Sequence, residues 1–168
     1  MNFKKLMLAG FFVFSPAQAA PIDDSIKCLA LNMYYEARGQ GTAELLAISY
    51  VVLNRVKDKR FPNTICEVVK QGPVRESWRK DGTYYPIRNR CQFSWYCDGK
   101  SDNPKNKSLY EKLLTVSKSI LYDRTKSFID ITDGALFYHA YYVTPAWSKV
   151  KYRTARIGDH VFYRWDYK

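Results

Sequence analysis

The chain changes its hydrophobic period once, and that change bounds the fold. In separate segments up to Asp123, apolar residues recur at helical spacing; after Thr125 the texture turns β-branched and aromatic. The first helix is predicted from Ile26 to Ala37, with Ile26, Leu29, Ala30, Met33 and Ala37 on one face and Gly39 as its stop. A second runs from Thr42 to Lys57. Its stripe of Leu45, Ile48, Val52, Leu53 and Val56 is widened by Leu46 and Tyr50, so it should be mostly buried. Arg60-Phe61-Pro62-Asn63 breaks the chain, and Thr64 to Glu67 has the spacing of a capping box that opens a short helix to Lys70. Another helix is predicted from Ser108 to Asp123, on Leu109, Leu113, Val116 and Ile120. Phe128 to Val143 and Ala155 to Trp165 read as short strands or extended segments, with turns at Asp133-Gly134 and Gly158-Asp159. Helices first and a small strand region last make an α+β chain.

Residues 1–19 read as a secretory signal peptide. Lys4 and Lys5 form the basic region, Leu6 to Phe14 a short apolar core, and Ala17-Gln18-Ala19 a small-x-small cleavage site. The apolar run is far below the ~18 residues of a membrane span, so no stable membrane insertion is expected after cleavage. Residues 20–168 then form a single domain large enough for a real core. The formal charge of +11 drops to +9 once Lys4 and Lys5 are lost. That charge and the 16% aromatic content suit either a sugar polymer carrying acidic groups or a nucleic acid. Export to a periplasm or cell wall disfavours nucleic acid.

Four cysteines, Cys28, Cys66, Cys91 and Cys97, fit an oxidising compartment. Three pairings are possible. The favoured set is Cys28–Cys66, tying the first helix to a later one, and Cys91–Cys97, closing a short loop. Zinc is disfavoured, because there is no Cys-x-x-Cys pair.

One carboxylate stands apart. Glu36 falls beside Leu29, on the border of the apolar face of the first helix. A carboxyl there is partly desolvated, and desolvation disfavours its charged form. A glutamate kept protonated near neutral pH can act as a general acid. The alternative is a structural pair with Arg38 or a neighbouring helix. Gln92 and Ser94 lie in a polar–aromatic turn between two cysteines, where sugar hydroxyls and acetamides could be held; Phe93 reads as core. Tyr138 and His139 sit in a predicted strand, with Pro145 and Trp147 shortly after. Asn54 and Arg55 are polar residues near the end of an apolar helix; they either hydrogen-bond the loop that follows or reach the active cleft, and the structural role is the favoured one. The basic stretch from Gly72 to Arg90 reads as an irregular surface excursion. No zinc-protease, serine-elbow or phosphate-loop motif is present, and no cofactor or metal is implied.

Six segments in order carry a resemblance: Asn32 with Glu36-Ala37-Arg38-Gly39, Val52 to Val56, Phe61 to Thr64, Cys91 to Trp95, Gly134 to Ala140, and Ile157 to Phe162. Over nearly the whole mature chain the sequence resembles the SleB/CwlJ type of bacterial cell-wall hydrolase. The resemblance implies a lysozyme-like domain, related to lytic transglycosylases, acting on peptidoglycan glycan strands with Glu36 as the catalytic residue. The family often has an acidic residue after the motif's glycine, where this chain has Gln40. One reading is a lytic transglycosylase that cleaves the β-1,4 bond between N-acetylmuramic acid and N-acetylglucosamine with one carboxylate. A hydrolytic muramidase would need a second, and Asp98, Asp130 and Asp133 are the candidates. A non-catalytic peptidoglycan-binding module is the other alternative. Gln92, Ser94, Tyr138 and His139 are the expected substrate-positioning residues, and the protein is expected to be a monomer.

Overall fold

The computed structural model describes residues 23–123 and 127–165, so the expected signal peptide lies outside the described residues. Helix α1 spans Asp24–Glu36. Asp23 caps it by accepting from the Ser25 amide, and Gly39 turns the chain away at φ +90°, where only glycine is unstrained. Helix α2 spans Thr42–Lys57 and α3 spans Ile65–Val69. Thr64 caps α3 by accepting from the Glu67 amide at 3.2 Å, the first half of a capping box, and its hydroxyl donates to the Glu67 carboxylate at 2.7 Å. Helix α4 spans Lys107–Tyr122 and is capped by Asn106.

The core has two parts. Leu29, Met33 and Tyr34 of α1 pack with Val52, Val68, Val69, Phe93, Trp95 and Leu113, so α1 sits against α2, α3 and α4. The opposite side of α2 presents Ala47 and Val51 to Phe162 and Ala135. Helix α2 is therefore the layer between the helical core and the sheet.

That sheet is antiparallel, with β3 (Phe137–Ala140), β4 (Tyr152–Ile157) and β5 (His160–Arg164) in the order β3-β5-β4. Strand structure is shorter than the texture suggests. Before β3, Asp130 accepts from the Thr132 amide and hydroxyl and the Gly134 amide, and this local turn competes with extension. After it, Pro145 leads into a 3₁₀ turn at Ala146–Val150. The basic segment 72–90 is not irregular. It holds a hairpin of β1 (Val74–Glu76) and β2 (Tyr84–Pro86) in antiparallel register. Its strands are three residues each and exposed on nearly every side chain, so no burial pattern marks them in the sequence.

Both disulfides join the favoured partners: Cys28–Cys66 with Cα atoms 5.3 Å apart, and Cys91–Cys97 at 6.0 Å. The second closes the turn that carries Gln92 and Ser94, which includes a 3₁₀ segment at Ser94–Cys97. Among the described residues, no helix is long and apolar enough to cross a membrane.

Candidate active site

The last residue of α1 opens into a cavity of about 290 Å³ lined by Glu36, Arg55, Gln92, Ser94, Phe137, Tyr138 and Trp147. Each arrives on a different support. Arg55 comes from the end of α2, Gln92 and Ser94 from the disulfide-closed turn, Phe137 and Tyr138 from β3, and Trp147 from the second 3₁₀ turn. The 3₁₀ segment is pinned to α1 by the buried Trp95 indole, which donates to Asn32 Oδ1 at 3.2 Å and stacks on Tyr35. Gln92 donates its amide to the Gln71 carbonyl at 2.8 Å, leaving its side chain exposed.

Glu36 is held above the ordinary carboxylate range, chiefly by burial. Three groups oppose that push: a hydrogen bond from the Tyr138 hydroxyl at 2.8 Å, and the charges of His160 and Arg55. Tyr138 is itself driven well above the usual phenol value by burial and by Glu36, so it stays a neutral donor. Burial lowers Arg55 to about 10, which leaves it cationic at neutral pH. Its Nε donates to the Leu136 carbonyl at 2.8 Å, its Nη1 is buried without a hydrogen-bond partner, and its guanidinium lies over Phe61, Phe93 and Phe137. Arg55 combines the structural role with the alternative place in the cleft: it braces the residue before β3 and lines the cavity beside the carboxyl. Asn54 does act structurally, donating to Asp130 at 2.8 Å and to the Ala135 carbonyl at 3.2 Å.

Four of the five expected site residues, Glu36, Gln92, Ser94 and Tyr138, meet at this cavity. His139 does not line it. Alternation along β3 turns it to the other face from Tyr138. There its Nδ1–H donates to the Ala140 carbonyl at 2.9 Å, which leaves Nε2 to accept from the Tyr163 hydroxyl at 3.0 Å. Its ring backs Trp147 at 5.5 Å, and Trp147 does line the cavity. Phe93 is core, as read from the sequence, and packs against Tyr138.

The three aspartates weighed as a second carboxylate lie elsewhere. Asp98 accepts from the Lys100 amide and lines a separate groove of about 830 Å³ with Tyr35, Trp95 and Arg38. Asp130 is consumed by its turn and by Asn54. Asp133 is exposed beside Arg164. The groove is the larger space, but size does not mark a catalytic site. The smaller cavity joins a desolvated acid, a buried cation, a neutral donor and aromatic faces.

A family model described as "Cell Wall Hydrolase" matches residues 39–163. The chain belongs to the cell wall hydrolase family. Membership makes it a peptidoglycan-lytic enzyme of the glycosidase type. The matched span opens at Gly39, just past Glu36, and takes in every other residue of the cavity. The fold is that of two solved structures. The crystal structure of the catalytic domain of the Bacillus cereus SleB protein is 23% identical with a TM-score of 0.55, and the alignment covers 93% of this chain and 100% of that one. The catalytic domain of the germination-specific lytic transglycosylase SleB from Bacillus anthracis is 24% identical with a TM-score of 0.57, covering 89% and 100%. No curated protein sequence matches. This cell wall hydrolase thus has the lysozyme-like α+β fold of SleB catalytic domains, stapled by two disulfides that suit an oxidising, extracytoplasmic setting.

Proposed function

We propose that the enzyme is a lytic transglycosylase that cleaves the β-1,4 bond between N-acetylmuramic acid and N-acetylglucosamine, with Glu36 as both acid and base. The observation that carries this reading is the composition of the cavity: its seven lining residues include one carboxylate, Glu36. Ordinary glycosidases need two, one to protonate the leaving oxygen and one to serve as nucleophile or to activate water. A single carboxyl suffices when the substrate supplies its own nucleophile. Protonated Glu36 gives its proton to the glycosidic oxygen as the C1–O bond breaks. The resulting carboxylate takes the proton of the muramic acid C6 hydroxyl as O6 bonds to C1. Glu36 ends protonated, no water is consumed, and the product is a 1,6-anhydro sugar.

The neighbours of Glu36 suit both halves of that cycle. Burial favours the protonated acid needed for the first half; Tyr138 and Arg55 favour the carboxylate needed for the second. Gln92 and Ser94 are placed to bond hydroxyl and acetamide groups, with Phe137 and Trp147 offering ring faces for the sugars. His139 serves the site by holding Trp147. Export through the segment 1–19 would bring the enzyme to its polymer. The test is digestion of purified peptidoglycan in ¹⁸O-water. The expected fragments carry no ¹⁸O and no end that borohydride can reduce. Labelled, reducible muramic acid ends would mean hydrolysis by water and would overturn the reading.

A further inference from the structure

One buried glutamate, paired with a histidine, takes no part in the chemistry above. Glu44, in the first turn of α2, is 2% exposed. His160 Nδ1–H donates to its Oε1, and the Asp159 amide donates to the same oxygen at 3.3 Å. The β4–β5 turn closes over the carboxylate because residue 158 is glycine: a Cβ there would stand 1.9 Å from Glu44 Oε2. Burying an acid this deeply is expensive, and an apolar residue could fill the same space without a partner. The pair therefore calls for a use, and the other side of His160 supplies one. Its ring meets the Tyr138 ring edge-on, with centroids 5.0 Å apart and planes at 90°, and the Tyr138 hydroxyl donates to Glu36 at 2.8 Å.

We infer that Glu44 and His160 are positioning residues for the reaction. Glu44 fixes the imidazole, the imidazole fixes the ring of Tyr138, and the hydroxyl of that ring holds Glu36. The inference rests on Glu36 being the acid. Neither member of the pair lines the cavity, so neither touches substrate. The arrangement has an electrostatic consequence. Glu36 is faced by Tyr138 from β3, His160 from β5 and Arg55 from α2. His160 is faced by Glu44 from α2 and by Tyr138, while the neighbouring Asp159 carboxylate is engaged by Gln40 Nε2 at 3.1 Å. A protonated His160 pulls Glu36 down against its burial. Glu44 reaches Glu36 only through His160, by holding the imidazole in place.

Two variants separate this role from simple packing. Glu44→Gln keeps the volume and the acceptor but removes the charge. The double variant Glu44→Met with His160→Phe keeps an aromatic ring against Tyr138 and removes the polar pair. In each, the Glu36 carboxyl is titrated by ¹³C NMR, assigned with Glu36→Gln, alongside melting and kinetics on peptidoglycan fragments. The Glu36 midpoint is expected to move to higher pH in both variants. The basic limb of kcat should follow, and kcat should fall on the order of tenfold with KM unchanged. A cooperatively melting double variant whose Glu36 midpoint and kcat match wild type would overturn the inference, even if Glu44→Gln proved unstable. Wild type that releases no fragments would instead overturn the function proposed above, while the titration would still decide the role of the pair.

Discussion

At the scale of the residue, Glu36 is in the unusual position of a carboxyl whose surroundings pull both ways. Burial raises it, while Tyr138, His160 and Arg55 lower it. Glu36→Gln is expected to reduce lytic activity by roughly 10²–10⁴-fold, the range a general acid or base contributes. It should also melt higher than wild type at about pH 8, with the gap closing toward about pH 4. The sign follows from the raised folded-state pKa. Such a carboxyl contributes stability while protonated, in full below its unfolded pKa, and loses it as pH rises through the folded value. A variant that melts lower than wild type at the higher pH would contradict the desolvated acid. Tyr138→Phe removes a donor from the carboxylate, so the basic limb of the rate profile should move up and kcat fall about tenfold. An unmoved limb would mean that the 2.8 Å contact is not made in the working enzyme.

At the scale of the element, the two disulfides have separate duties. Cys28–Cys66 closes 38 residues and Cys91–Cys97 only 6. Chain entropy then assigns about 4 kcal/mol to the first and about 2 kcal/mol to the second. Replacing Cys28 and Cys66 by serine should mainly lower the melting temperature. Replacing Cys91 and Cys97 should mainly lower activity, because that bond fixes the turn presenting Gln92 and Ser94. Equal loss of activity at equal loss of stability would contradict this division. The same elements show how far the sequence could be read. Helical spacing and the capping box located all four helices to within about two residues, because burial along a helix face is periodic. The β1–β2 hairpin escaped because its side chains are exposed and carry no period. Arg55 and Glu44 share one sequence signal. With Ile48 and Val51 they occupy one helical row, 44-48-51-55, so each is a charged residue on the buried face of an apolar helix. That row was legible. What it meant depended on partners from β3 and β5, contributed by residues far along the chain. His139 and His160 sit in one region of sequence, and only the strand register sends His160, rather than His139, behind Tyr138.

At the scale of the whole molecule, the active cavity and the exposed hairpin are distinct features. The hairpin carries Arg75, Arg79 and Lys80 against Glu76 and Asp81, with Trp78 86% exposed and Tyr84 and Tyr85 also outside. Exposed rings beside three cations can meet both the sugar faces and the carboxylates of a wall polymer. The Ile87 amide donates to the Pro73 carbonyl at 2.9 Å, so the base of the hairpin is closed and 74–86 can be replaced by a short turn. That deletion should leave the melting temperature and the cleavage of short soluble fragments near wild type. Binding to intact walls should weaken severalfold at low salt, with the difference fading as salt screens the charges. Unchanged wall binding would make the hairpin a solvated loop. The central claim, one glutamate working as both acid and base, has its most direct test in mass spectrometry of peptidoglycan digested by wild type and by Glu36→Gln. Wild type is expected to release 1,6-anhydro-muropeptides and the variant none. Reducing-end muropeptides from wild type, or anhydro products from a folded Glu36→Gln, would contradict it.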